Sequence, residues 1–287
     1  MSAITGALLP KPGSTAERLT AARPRPRLTL VLAVAVLAIA LAWALVPWLF
    51  TAQDPLAGIA GEALQPPSAA HPFGTDATGR DMLARVVFGA GNSLAGAAIA
   101  VLVGLAVGTT VGVLAGSTGG LVDEALMRVV DVLLAIPGLL LALSVIVLLG
   151  FGVTNAAIAV GVTSIAIFAR LARSQVVRVR RTDYVEAAFG SGGSFFAVLR
   201  RHVLPNSLGA VLALAALQFG SAILQISTLG FLGYGAPPPI PEWGLLIAES
   251  RDYVATAWWL TTLPGVVVAA VVLSANRVAA AMREGSA

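Results

Sequence analysis

Chemistry on bonds needs nucleophiles, bases or metal ligands, and this chain offers few. It has no Cys, and its two His, His71 and His202, lie far apart in sequence. Disulfides, thiolate nucleophiles and a multi-His metal site within the chain are therefore excluded. Lys11 is the single lysine and stands in the N-terminal arm, so no Gly-rich phosphate-binding turn ends in Lys, and the chain has no P-loop for ATP. What its polar residues can do is hydrogen-bond and dock. Gln218, Ser221, Gln225 and Thr228 recur at i, i+3, i+7 and i+10 of an apolar stretch, which on a helix puts them on one face about 80° wide. Two readings stand for that face: a wall of a substrate path able to hydrogen-bond peptide groups, or interhelical contacts worth about 0.6 kcal/mol each.

The second polar feature is an island, Asp183 to Asn206 (DYVEAAFGSGGSFFAVLRRHVLPN), flanked by arginines and set between apolar runs. Asp183-x-x-Glu186 predicts a capping box opening a short helix through Ala187 and Ala188, which breaks at Gly190, Gly192 and Gly193. Ser194 is placed to cap a second helix carrying Phe195, Phe196, Val198, Leu199 and Val203, stopped by Leu204-Pro205. The small side chains of Ala187 and Ala188 leave a shallow surface that a partner's groove can accept.

The elements that position these residues follow from composition. The 287 residues are 57% hydrophobic and 11% charged, and the mean hydropathy is +0.89, which describes a membrane protein rather than a soluble one. With a net charge of +4 and no basic, aromatic-interleaved groove, nucleic acid is not a partner. Six runs are long enough for transmembrane helices, at about 20 residues per crossing: 28–50, 93–116, 125–150, 156–172, 207–229 and 258–276. The first ends in an interfacial Trp43/Trp48 pair, the Gly- and Ala-rich second suits close helix packing, and Pro137 predicts a kink in the third. Residues 28–50 are too long for a signal-peptide core, and no small-x-small cleavage site follows them.

Orientation follows from the arginines. An even number of spans puts both termini, 117–124 and 173–206 on one side, together with 15 of the 18 basic residues. The other side holds Arg80, Arg85 and Arg251 beside seven acids. Both termini and the island are therefore expected in the cytoplasm. Residues 1–27, with four Pro and scattered Arg, are expected to form a disordered cytoplasmic arm whose arginines touch anionic membrane lipid. Residues 51–92 are expected to form an extracytoplasmic loop with a surface helix, 93–276 a five-helix core including the loop 173–206, and 277–287 a cytoplasmic tail. Glu124, Arg128 and Asp131 are spaced for i, i+4 and i, i+3 pairs at the cytoplasmic end of the third span.

EAA, then Gly192 after three residues, then nine residues before a four-residue ending that closes on Leu204-Pro205 resemble the cytoplasmic loop of permease subunits of binding-protein-dependent ABC importers. Glu186, Ala187, Ala188, Gly192, Leu204 and Pro205 match it position by position. The RHVLPN ending resembles the dipeptide/oligopeptide branch. On the opposite side, HPFGTDATGRDMLARVVFGAGNSL (71–94) and GFLGYGAPPPIPEWGLLIAESRDY (230–253) are similar to segments of the C-type subunit of peptide and nickel importers. The resemblance spans about residues 28 to 276. It implies an all-α polytopic fold of six transmembrane helices, the type I ABC importer permease (MetI-like) fold with a cytoplasmic coupling helix.

It further implies a permease subunit in the bacterial inner membrane with no catalytic residues and no bound cofactor. Its partners would be a homologous permease subunit, in a heterodimer, and one or two ATPase subunits that carry ATP and Mg. An extracytoplasmic solute-binding protein would deliver dipeptides or oligopeptides, with nickel or another small solute as the alternative cargo. Coupling to the ATPase falls to Tyr184, Glu186, Ala187, Ala188, Gly192, Leu204 and Pro205. Asp76, Arg80, Asp81, Glu242, Trp243 and Glu249 are expected to meet the binding protein. Two departures from the family pattern concern cargo: Ile226 stands where many relatives carry an acid, and 274–284 lacks the usual Gly-Asp…Arg-Asp ending. An ion-coupled secondary transporter would need mid-span ionisable residues and broken-helix repeats, and only Asp131 comes near. An intramembrane enzyme would need a constellation that His202 does not have.

Overall fold

The computed structural model describes residues 26–284. These form ten α-helices and no strand, with one isolated bridge between Thr75 and Asp81. The helices are α1 Pro26–Leu45, α2 Met82–Thr118, α3 Gly120–Ala135, α4 Gly138–Leu149, α5 Val153–Arg180, α6 Asp183–Gly190, α7 Phe195–Val198, α8 Leu204–Phe231, α9 Trp243–Ser250 and α10 Trp259–Glu284. Five helical stretches are long and apolar enough to cross a membrane, and α3 with α4 makes a sixth, bent candidate. The arm expected over 1–27 lies outside the described residues except where Pro26 and Arg27 open α1. Most of the expected 277–287 tail continues α10.

Three expectations are corrected. The kink at Pro137 is a 98° break between α3 and α4. Ile136, driven into the extended region by the following proline (φ −86°, ψ 129°), turns the chain there. The surface helix expected at 82–88 is instead the first two turns of α2. Asp81 caps that helix by accepting from the Ala84 amide at 2.7 Å, and Met82, Val86 and Val87 are buried in the bundle. Finally, Leu204-Pro205 does not stop the second island helix. A wide π turn, Leu199–Val203, takes up the proline ring, and the helix runs on as α8. Asn206 and Ser207 donate from their side chains to the His202 and Val203 carbonyls at 2.7 and 2.8 Å, as the backbone ladder is disturbed there.

The core is centred on α2 against α5. Gly104, Gly108, Gly112 and Gly116 stand four residues apart on α2 and form one stripe. A Cβ at Gly104 would lie 2.7 Å from Ser164 Cβ, and one at Gly112 would lie 2.7 Å from Ala172 Cβ. The two backbones are in direct contact, with α8, α10 and α1 packed around the pair.

This arrangement gives the bundle two distinct ends. At one, the α2–α3 turn meets the end of α5 and the island. At the other, 51–81 and 232–258 cover the start of α2. The 3.2 Å hydrogen bond from Arg277 Nε to Thr29 Oγ1 brings the start of α1 to the last turns of α10.

Candidate functional site

The island is held by apolar side chains. Val185, Val198 and Val203 are buried with Val176 and Val179 of α5, and Val113 of α2, Ala188 and Leu199 pack against them. The valines fall on the inner faces of α6, α7 and the π turn, which leaves the outer faces free. Tyr184 is 46% and Phe196 77% exposed, and Phe189 and Phe195 are exposed beside them. Glu186, Ala187, Gly192 and Pro205 are also exposed, whereas Ala188 and Leu204 are half-buried. Gly192 adopts φ +84°, which lets the chain reverse between α6 and α7.

The predicted capping box does not form. Thr182 is the N-cap residue of α6, Asp183 is already inside the helix, and no side chain caps the amides. The Thr182 hydroxyl donates instead to the Val179 carbonyl at 2.5 Å. Ser194 occupies the N-cap position of α7, also without a side-chain bond.

Behind the island, Arg173 reaches Asp123 through Nε at 2.5 Å and Nη2 at 2.6 Å. Arg180 Nη1 donates to the Gly116 and Ser117 carbonyls at 2.9 and 2.5 Å, closing the end of α2. Of the three residues expected to pair along α3, Arg128 lies 3.6 Å from Glu124, but Asp131 pairs with Arg170 of α5 at 2.6 Å. Asp131 therefore ties α3 to α5 rather than closing a pair within α3.

The opposite end is a cap built from buried charge. Asp76 Oδ1 accepts from the Thr78 amide and hydroxyl, both at 2.8 Å, and from the Arg80 amide at 3.0 Å. Its Oδ2 accepts from Arg80 Nε and Arg85 Nη1, both at 2.7 Å. Arg85, only 1% exposed, reaches Glu249 Oε2 of α9 at 2.9 Å through Nη2. Burial raises the Asp76 carboxyl, but the hydrogen bonds from Arg80 and Thr78, with the charge of Arg85, outweigh it and hold it below the usual carboxylate value. Asp81 accepts from the Ala84 amide and faces His71 Nδ1 at 2.8 Å.

Glu242 is fully buried and caps α9, accepting from the Gly244 and Leu245 amides at 2.8 and 2.9 Å. A side chain at Gly230 would collide with its carboxylate, so the glycine there makes the room. Burial pushes the Glu242 carboxyl up, against the two amide bonds and the Ser93 hydroxyl that pull it down. Trp243 is also buried, and its Nε1 donates to the Val86 carbonyl at 2.9 Å.

The structure thus changes the six expected docking contacts. Glu242 and Trp243, facing Ser93 and Val86 in the interior, offer no surface to a partner. Asp76 and Asp81 are buried as well, and Arg80 and Glu249 are partly covered and committed to ion pairs. All six hold the cap together. Arg85 was missed by motif reading, although its position carried a signal: it shares the helix face of Met82, Val86 and Gly89, where an unpaired cation would be too costly to bury.

The polar face of α8 is graded. Gln218 is buried, Ser221 and Gln225 are half-buried, and Thr228 is exposed, donating to the Leu224 carbonyl of its own helix at 2.8 Å. Thr163 Oγ1 of α5 lies 3.4 Å from Gln225 Oε1. The face therefore begins inside the bundle and ends on a bare strip with Leu224 and Phe231.

Comparison with known proteins agrees with this geometry. The chain is 38% identical over 221 residues to the dipeptide transport system permease protein DppC of Alkalihalophilus pseudofirmus, covering 77% of this chain and 73% of that one. It is 39% identical over 229 residues to the probable D,D-dipeptide transport system permease protein DdpC of Escherichia coli, covering 80% and 76%. The glutathione transport system permease protein GsiD of Shigella flexneri is 41% identical over 218 residues, covering 76% and 72%. Among solved structures, the inward-facing MetNI methionine ABC transporter has a chain of the same fold, with TM-score 0.55 and 19% identity over 70% of this chain and 97% of that one. The family described as binding-protein-dependent transport system inner membrane component matches residues 108–284. With an all-helical bundle of five to six spans and an exposed island at one end, this chain belongs to that family.

Proposed function

We propose that this chain is a permease subunit through which an ATP-driven importer moves dipeptides or oligopeptides from an extracytoplasmic solute-binding protein into the cytoplasm. The observation that carries this reading is the island, with its valine-seated base and outward aromatic surface on a chain without a P-loop. Such a surface fits a groove on a separate ATPase subunit. Peptide cargo is supported by the dipeptide and D,D-dipeptide permeases among the relatives. The bilayer is the bacterial inner membrane, and the arginine bias puts the island end and both termini in the cytoplasm.

The mechanism needs no catalytic residue here. ATP and Mg belong to one or two partner subunits, whose closure pushes on Tyr184, Ala187 and the aromatic surface. Because Val185, Val198 and Val203 join the island to the end of α5, the push passes into the bundle. The bare strip of α8 ending at Thr228 then faces the pathway shared with a homologous second permease subunit. The cap of buried charge is the base on which the binding protein seats.

The test is co-isolation and transport. Ala187→Arg places bulk and charge on the exposed outer face of α6 and should abolish co-isolation of the ATPase subunit and ATP-dependent peptide uptake in vesicles. The amount of folded permease should stay unchanged. Retained co-isolation would overturn the coupling role, and uptake that follows an ion gradient without ATP would overturn the importer.

A further inference from the structure

A polar recess of about 340 Å³ opens at the island end, between the end of α2, the α2–α3 turn and the last turns of α5. Its walls carry Arg173, Arg180, Arg181 and Asp123, with Gly119 at the mouth. The three arginines are committed differently. Arg173 faces Asp123 with two nitrogens, so that pair is neutral. Arg180 is fixed by Nη1 on two backbone carbonyls, which orient its guanidinium but leave its charge uncompensated. Arg181 is exposed and forms no ion pair among the described residues.

Elsewhere, Arg80, Arg85, Arg128, Arg170 and Arg251 each face a carboxylate, whereas Arg178, Arg200 and Arg201 are exposed, without an ion pair among the described residues, and do not line the recess. The recess is therefore a half-open hollow with two cations in excess, one of them already held in place. At Gly119 a Cβ would meet nothing within 4 Å, so the mouth is open.

We infer that this recess binds a phosphate group, that of an anionic phospholipid headgroup, with Arg180 and Arg181 as its ligands. Planar guanidinium groups match phosphate oxygens through paired N–H donors, and two excess cations accommodate a singly charged phosphodiester. The lipid source follows from position: α2 and α5 are both membrane-spanning by length and composition, and the recess lies at the island ends of these two helices. A bound headgroup would join the α2–α3 turn to α5, close to where Val113, Val176 and Val179 seat the island. The lipid would thus stiffen the base on which the island stands.

The experiment uses the intact permease–ATPase complex in nanodiscs of phosphatidylcholine containing phosphatidylglycerol, with retained lipid read by native mass spectrometry. The wild type should retain phosphatidylglycerol, and Arg181→Gln should lower that retention about five-fold, the effect of one arginine at a charged lipid surface. Arg181→Lys should recover part of it. Arg178→Gln, an exposed arginine outside the recess, should leave retention unchanged. Equal losses in Arg178→Gln and Arg181→Gln would reduce the effect to diffuse surface charge and overturn the site, as would a wild type that retains none. Displacement of the lipid by millimolar inorganic phosphate would assign the recess to a soluble phosphate and overturn the lipid source. ATPase co-isolation, measured in the same samples, tests the coupling role separately, so failure of either reading is distinguishable from failure of the other.

Discussion

The island and the cap close opposite ends of one bundle by opposite means. The island is held by valines, whose burial is worth roughly 1.5–3 kcal/mol each and has no preferred direction. The cap is held by carboxylates and arginines whose geometry must be met atom by atom, with Asp76 and Arg85 buried at its centre. A seat of valines tolerates small rotations without losing its contacts. A buried ionic lattice does not, because any shift leaves a charge unpaired in a poor solvent. Under the proposed function, the end that transmits movement has the forgiving material, and the end that presents a fixed shape has the exacting one.

The sharpest way to break this comparison is Arg85→Ala, which leaves Asp76 and Glu249 facing each other without their shared cation. It should cost about 3–5 kcal/mol, seen as a fall in the unfolding temperature of the purified complex and as early proteolysis within 232–258. Val185→Ala in the island seat should cost less, about 1–2 kcal/mol. Its effect should be confined to faster amide exchange over 183–203, whereas exchange in the cap stays unchanged.

Smaller again is the pH response, which separates two carboxylates of the cap. Asp76 is depressed in the folded protein, so the stability it contributes is present above its unfolded value of about 3.9 and is lost as pH falls through the lower folded value. Glu242 is raised, so the folded state holds its proton longer and stability declines as pH climbs from about 4.3 toward the folded value. Unfolding temperature against pH should therefore lose its acid-side fall in Asp76→Asn and its decline above about pH 4.3 in Glu242→Gln. Phe196→Ser, on the exposed island surface, should change stability by less than about 0.5 kcal/mol while weakening ATPase co-isolation. A large stability loss there would make Phe196 part of the fold rather than of the docking surface.

The apolar spans and the island were legible because hydropathy and arginine spacing are properties of continuous segments. The glycine stripe of α2 was legible as a tendency to close packing, since Gly and Ala admit little else. What stayed hidden depends on partners far away in the chain. Glu242 and Trp243 read as surface contacts because their partners, Ser93 and Val86, lie about 150 residues earlier. The Asp183 cap failed for a local reason: Thr182 took the N-cap position, shifting the start of α6 by one residue. Pro205 read as a stop because only the folded chain reveals that one widened turn can absorb it.

The stripe Gly104, Gly108, Gly112 and Gly116 has a mechanical consequence. With only glycines on the α2 side of the contact, the Ser164, Phe168 and Ala172 side chains of α5 rest directly on the α2 backbone, and the two helices are packed as one beam. At 37 residues, α2 reaches roughly 55 Å from the cap to the island. Under the proposed coupling role, a push on the island is passed along this pair of helices toward the cap.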